Sequence, residues 1–323
     1  LESETILLMA FFGRENEEVC KRLARYLLKH QLPEGGWPNY PGGPAEISTS
    51  VKGYFALKLT GTPIDHPAMV KAREAVLAMG GAAACNSFTR FYLALLGQLS
   101  YDECPTVPPE LALIPRRWNF SLYAMSSWTR TIVVPLSIVS HFKPVRKLAP
   151  ERGIDELFIK GVKKWARPRY PLFSWGRFFL AVDRGLKWAD RLLPAVVRRR
   201  GVQAAHRWMV DHFEDSDGLG AIYPPMVYTI LALRCLGYED NSTAVEWAWR
   251  QLEDLRIDED DTTRFQPCVS PVWDTAITVI ALSDADERVD EPAIEKAADW
   301  LLSKELRRGG DWQVRRPGVE PSG

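Results

Sequence analysis

Apolar and polar positions follow two distinct patterns along the chain. The stretches 47–61 (ISTSVKGYFALKLTG), 86–97 (NSFTRFYLALLG), 224–237 (PPMVYTILALRCLG) and 270–285 (SPVWDTAITVIALSDA) are apolar around most of a helical circumference. Each enters through Ser, Asn or Pro, residues that cap or begin helices, and carries an Ala-Leu pair. The first three close on Gly61, Gly97 and Gly237, as helix C-termini often do. Helices this apolar must be buried between other helices.

Between them run amphipathic segments such as EVCKRLARYLLKHQ and AIEKAADWLLSKEL, with apolar residues three and four apart beneath a charged face. Buried helices alternating with surface helices predict an all-α fold with an inner and an outer ring. Helix pairs repeating every roughly 40 to 50 residues suit a helical array. Periodicity alone leaves an open solenoid and a closed α-α barrel equally possible.

A loop signature also repeats. In RYLLKHQLPEGGW (25–37), Gln31 stands at a helix end and Gly36 and Trp37 lie in the turn that follows. WLLSKELRRGGDW (300–312) repeats the design, with Glu305 in the Gln place and Gly310 and Trp312 closing it. A degenerate copy, WMVDHFEDSDGLG (208–220), lacks the final Trp. Gly permits the tight turn, the indole can lie over the helix end, and the Gln amide can bond free backbone groups. Such a loop would staple outer helices together, though a well-packed loop with no special role would read the same way.

Composition narrows the function classes. A chain of 323 residues fits one large helical domain and a piece of another. Lys+Arg and Asp+Glu both total 41, so no net charge favours nucleic acid as a partner. The five cysteines form no CxxC pair and are odd in number, which predicts a reducing compartment and mostly buried thiols. His30, His66, His141, His206 and His212 are scattered, form no metal-ligand motif and are expected at the surface, so neither a metal nor a cofactor is expected. The chain opens at Leu1 with no signal peptide and no apolar run near the ~18 residues that span a bilayer. An internal fragment of a soluble or peripherally attached protein is the expectation. The stretch Lys160 to Arg200 is basic and rich in Trp and Phe. That composition suits anionic lipid headgroups with aromatics at the boundary, and equally suits aromatics turned inward and arginines turned to water.

The Gln31-to-Trp37 loop resembles the QW motif of the squalene-hopene and oxidosqualene cyclases, and residues 123–139 (YAMSSWTRTIVVPLSIV), 220–233 (GAIYPPMVYTILAL) and 270–282 (SPVWDTAITVIAL) resemble stretches of the bacterial squalene-hopene cyclases. The likeness runs through essentially the whole chain with its motifs in order. It implies a class II triterpene cyclase of two α-α barrels, of the terpenoid cyclase/prenyltransferase type. Residues 1–265 would form the inserted barrel and 266–323 the beginning of the second, catalytic barrel, cut off before its acid. Position by position, it implies that Trp128, Ile222, Tyr223, Pro224 and Trp273 line a hydrocarbon cavity with Asp274 beside them. Tyr223 replaces an expected Gln, and Lys52 stands where a Glu is expected, so a salt bridge there is not expected. The resemblance also implies squalene or a similar polyprenoid as substrate, a hopene-type product, the missing C-terminal barrel as partner, a possible homodimer and a peripheral place on the cytoplasmic membrane face.

Aromatic faces suit such chemistry because they stabilise a migrating carbocation without offering a lone pair, at roughly 0.5–2 kcal/mol per contact. The family's acid lies in a DxDDT motif. Residues 258–262, DEDDT, fit those letters, yet Asp258, Asp260 and Asp261 lie upstream of VWDT in a charged run expected to be a solvated loop. Two other readings remain: a structural or lipid-binding barrel that does no chemistry alone, and a relative of the protein prenyltransferase β-subunits, for which no zinc-ligand spacing is present.

Overall fold

The structure, a computed structural model, describes residues 1–166, 170–213, 216–285 and 291–321. Its first helices alternate as the pattern predicts. Helix α1 (Glu2–Phe11), α3 (Ile47–Leu59) and α5 (Ser87–Leu95) are buried along nearly their whole length. The amphipathic α2 (Glu18–Lys29) and α4 (Pro67–Ala78) each bury a single face, and α2 packs on α1 while α4 packs on α3. The second half repeats the arrangement with α6 (Ser127–Phe142), α7 (Trp175–Leu192), α8 (Ala195–Asp211), the apolar α9 (Tyr223–Cys235) and the outer α10 (Thr243–Glu253). Helix α6 packs against α8 and α9, and α9 against α10.

Local chemistry sets the helix ends. Asn86 Oδ1 accepts the Thr89 N–H at 2.9 Å to cap α5, and Glu46, rather than a Ser, caps α3 by accepting the Thr49 N–H at 2.8 Å. Gly61, Gly97 and Gly237 follow α3, α5 and α9 with φ of 93°, 71° and 86°. An L side chain would be strained there.

The array closes on itself. The Tyr223 hydroxyl, at the start of α9, lies 2.7 Å from Thr5 Oγ1 of α1, and the Phe265 N–H donates to Glu2 Oε1 at 3.1 Å. Arg22 of α2 donates to the Thr262 carbonyl at 2.7 Å. The start of α9 and the segment after α10 therefore meet α1 and α2, as a closed arrangement requires.

The charged run expected as a solvated loop is instead an antiparallel hairpin of β1 (Arg256–Glu259) and β2 (Thr262–Phe265), paired Asp258 to Thr263 and Glu259 to Thr262. One strand is covered and the other is not: Thr262, Thr263 and Phe265 of β2 are buried where that strand packs on α2, while Asp258 and Glu259 of β1 face water. Beyond the hairpin, α11 (Pro271–Asp284) and α12 (Glu291–Ser303) pack on each other. No residue of α11 is buried, and Trp273, Ile277 and Ile280 are exposed.

The first loop signature is a staple of the kind its residues suggest. The Trp37 indole N–H donates to the Leu27 carbonyl in the last turn of α2 at 2.8 Å, and its backbone N–H donates to Ser50 Oγ of α3 at 3.0 Å. The Gln31 amide donates to the carbonyls of Gly35 at 2.7 Å and Ala68 of α4 at 2.8 Å. A Cβ at Gly36 would stand 2.6 Å from that of Ala45, and one at Gly53 would stand 2.7 Å from the Trp37 ring. Only glycine lets these surfaces meet.

The second signature does not repeat this. Glu305 pairs with Arg307 at 3.2 Å, and Trp312 is partly exposed beside Gly310. An ionised carboxylate has no donor with which to reproduce the two bonds of Gln31. Asp311 is the anchor instead, bridging Arg130 of α6 at 3.1 Å and His212 at 3.2 Å. Part of the degenerate third copy, residues 214–215, lies outside the described residues.

His206 and His212 also depart from the expected surface placement, since both are half-buried with partners. The Tyr238 hydroxyl lies 2.8 Å from His206 Nε2, and the His212 ring stacks on Trp208 at 3.9 Å. Burial opposes charge on His212, but Asp311 outweighs it and moves its pKa upward. Cys20, Cys85 and Cys104 are buried, and burial pushes each thiol up to about 12.

Candidate functional site

Three chain segments converge near the start of α6. A Cβ at Gly220 would fall 2.5 Å from Thr131 Oγ1, so the entry to α9 lies directly against the first turns of α6. The Tyr223 N–H donates to the Pro267 carbonyl at 2.9 Å, and Ile222 bridges to Cys268. These bonds tie residues 222–224 to the strand-like lead into α11, where Trp273 and Asp274 occupy the first turn.

Side chains at this junction are presented in two ways. Trp128, on the first turn of α6, is 67% exposed and Trp273 is 69% exposed, so two large indoles stand free of the core. Ile222 and Pro224 are half-buried, and Asp274 is exposed, accepting a bond from Ser270 Oγ at 2.9 Å. Trp118 and Phe120, on the loop before α6, are also exposed and were not singled out from the sequence. Tyr223 is turned the other way. It is fully buried, donates to the Leu1 carbonyl at 3.2 Å and meets Phe265 edge-on at 6.0 Å. Burial and the nearby Glu4 carboxylate hold its phenol neutral.

Beneath this junction lies a charged pair that sequence reasoning did not anticipate. Lys52 of α3, where no salt bridge was expected, pairs with Glu4 of α1 in the interior. Burial opposes ionisation of Glu4, and the Lys52 ammonium outweighs it, holding the carboxyl below its ordinary range. The expectation failed because a lysine can take a glutamate partner from the neighbouring helix, which the sequence of α3 alone does not show.

The DEDDT carboxylates stand apart from the two indoles in chemical character. Asp258 is ion-paired to Arg256 at 2.6 Å and faces Arg22 at 3.6 Å. Those cations, with the Thr263 hydroxyl, hold its carboxyl down at about 2. An acid that protonates an alkene must be neutral and shielded from water, whereas Asp258 is ionised and solvent-facing. Asp260 and Asp261 form the hairpin turn, and Arg25 donates to the Asp261 carbonyl at 2.7 Å. Among the described residues, no group of three or more His, Cys, Asp or Glu side chains is gathered as a metal site would require.

Comparison with known proteins places this geometry in a family. The chain is 37% identical to a squalene-hopene cyclase of Bradyrhizobium diazoefficiens, aligned over all of this chain and 50% of that protein. It is 34% identical to the squalene-hopene cyclase of Alicyclobacillus acidocaldarius over 100% of the chain and 51% of the relative. Identity to a dammaradiene synthase of Dryopteris crassirhizoma is 33%, over 95% of the chain and 45% of that enzyme. The chain thus spans about half the length of the curated relatives it matches. The profile of the squalene-hopene cyclase C-terminal domain matches residues 269–323, and that of the N-terminal domain matches residues 1–261. By that match over most of its length, and with the closed helical array that accompanies it, the chain belongs to the squalene-hopene cyclase family.

Proposed function

We propose that this chain forms one wall of the cavity in which a triterpene cyclase folds squalene, or a similar polyprenoid, and carries it through a cationic cyclisation to a hopene-type product. The observation that carries the reading is the convergence of α6, residues 219–224 and the start of α11, with Trp128 and Trp273 exposed there. Exposed indoles are costly to leave in water and apt for a cation passing over their faces. Ile222 and Pro224 add apolar surface at the same junction. The wall role, not proton donation, falls to this chain, because Asp258 is ion-paired to Arg256 and Asp258, Asp260 and Asp261 all stand exposed to water on the hairpin. The division into an inserted barrel (1–265) and the first part of a catalytic barrel (266–323) belongs to the same proposal.

The test is incubation of the chain with squalene in detergent, followed by gas chromatography and mass spectrometry, with Asp260→Asn and Asp261→Asn beside it. The expected result is no polycyclic product from any of them. Product from the parent chain that disappears in the variants would make DEDDT the acid and overturn the wall reading.

The partner of the apolar surface is a membrane, on its cytoplasmic face. Helix α7 is built inside out. Its polar side faces the protein: Asp183 accepts the Thr106 N–H at 2.8 Å, and Lys187 donates to the Asp102 carbonyl at 2.8 Å. On the opposite side Trp175, Phe178, Trp188 and Leu192 are all exposed, and no residue of α7 is buried. No described helix is long and apolar enough to cross a bilayer, so α7 would lie in the interface plane. The variant Trp175→Ala/Phe178→Ala is expected to bind vesicles at least about tenfold more weakly, from the apolar area lost. A wild-type chain that ignores vesicles but dimerises through this face, as read by sedimentation, would assign the face to a second copy instead.

A further inference from the structure

A cavity of about 610 Å³ lies beneath α7, within the size range of small-ligand sites. Its walls come from residues 101–109, the C-terminal end of α6 and the polar side of α7. Arg90 lines it from α5 and is 5% exposed. The guanidinium lies 3.9 Å over the Trp165 ring and donates to the Glu103 carbonyl, while its buried Nε has no partner. Among the described residues Arg90 makes no ion-pair contact, and burial pushes its pKa down against the pull of the nearby Glu103 and Asp183 carboxylates. A buried cation with no carboxylate in contact is costly unless an anion reaches it.

The other charges in the cavity leave positive charge over. Asp183 is engaged with Lys187 at 2.9 Å, Asp190 with Arg198 at 3.4 Å, and Glu103 accepts the Trp165 N–H at 3.2 Å. Glu103, whose bond to a neutral amide leaves its charge in place, and Asp102 are the remaining carboxylates on the wall. Against them stand Arg90 and the exposed Lys143, Arg184 and Arg191, which line the cavity and have no ion-pair partner among the described residues. Phe179 both lines the cavity and is 62% exposed, so the mouth opens beside the apolar side of α7.

We propose that this cavity is a phosphate site for an anionic lipid headgroup, with Arg90 at its floor, Lys143, Arg184 and Arg191 on its walls, and the acyl chains running out past Phe179. The assignment rests on the membrane reading of α7 and names the lipid that the surface selects. A planar guanidinium pairs well with phosphate oxygens, and an interfacial helix keeps the headgroup and its chains at the right depth.

The test is co-sedimentation of the full chain with vesicles of phosphatidylcholine alone and of phosphatidylcholine mixed with phosphatidylglycerol. The wild type is expected to bind the mixed vesicles about tenfold more tightly. Arg184→Gln/Arg191→Gln, folded by circular dichroism, is expected to lose that preference while still binding phosphatidylcholine. Arg199→Gln/Arg200→Gln removes the same charge from exposed positions of α8 outside the cavity and is expected to keep most of it. Equal losses in the two variants would mean diffuse attraction and overturn the site. Tight calorimetric binding of inorganic phosphate without vesicles, lost in Arg184→Gln/Arg191→Gln, would assign the cavity to a soluble phosphate and overturn the lipid source. Wild-type binding to neither vesicle would remove the membrane reading itself, whereas equal binding to both would remove only the headgroup site.

Discussion

Replacing Trp37 by alanine is expected to destabilise the chain by about 3–5 kcal/mol, the usual cost of truncating a large buried aromatic. Several losses combine at that position. The indole is 3% exposed and fills the space over Gly53, so its removal leaves a cavity that the helices cannot easily close. Its N–H bond to the Leu27 carbonyl also goes, leaving that acceptor at the end of α2 with only the long His30 N–H bond of 3.3 Å. The check is the midpoint of urea unfolding followed by circular dichroism. Gln31→Glu makes the companion variant, because it keeps the shape and removes the donors to Gly35 and Ala68. Its expected cost is smaller, about 1–3 kcal/mol. A Trp37→Ala variant as stable as wild type would show that the staple merely decorates helices held together elsewhere.

Lys52→Met is expected to cost a similar amount, about 3–5 kcal/mol at neutral pH, because it strands the Glu4 carboxylate in the interior. The pH dependence separates this from simple loss of packing. In the wild type the carboxyl of Glu4 is held below its unfolded value. The contribution of the pair is therefore present above the unfolded carboxyl value of about 4.3 and is lost as pH falls through the lower folded value. Without the Lys52 ammonium, burial is countered only by the amino terminus, and the folded pKa of Glu4 rises. The variant's deficit is then largest at neutral pH and shrinks as the medium is acidified and Glu4 takes up a proton. Glu4→Leu/Lys52→Met, which removes both charges, is expected to recover most of the stability. A deficit independent of pH, unrelieved in the double variant, would show that the pair contributes only its packing.

Both predictions concern contacts between helices, and they mark where sequence reading succeeds and stops. The first staple was legible because its chemistry is local: Gln31, Gly36 and Trp37 carry the needed donor, turn and ring within one short loop. Its apparent repeat at residues 300–312 has the same spacing but a carboxylate in the amide's place, and the structure turns that loop to a different anchor, Asp311. The hairpin was missed because a run rich in acids reads as solvated. Its buried side consists of Thr262, Thr263 and Phe265, whose partner α2 lies more than two hundred residues earlier. Tyr223 was grouped with the cavity residues by its place in a motif, yet its side chain completes the core between α9 and α1.

The sequence by itself determined the helical class, the alternation of buried and half-buried helices from α1 to α5, the glycine-terminated ends and the family. The first three follow from periodicities and turn residues that act within one or two turns of chain, and the family from the resemblance of its longer motifs. By contrast the apolar α11, expected to be buried, has no buried residue. Tertiary structure alone decided that the array closes, that Lys52 finds Glu4, that Asp258 is held ionised, and that α7 turns Asp183 and Lys187 toward the protein and its aromatics out. Each of these depends on which distant side chain arrives opposite. A hydrogen bond or ion pair is set by separation in space, and local pattern carries no record of that distance.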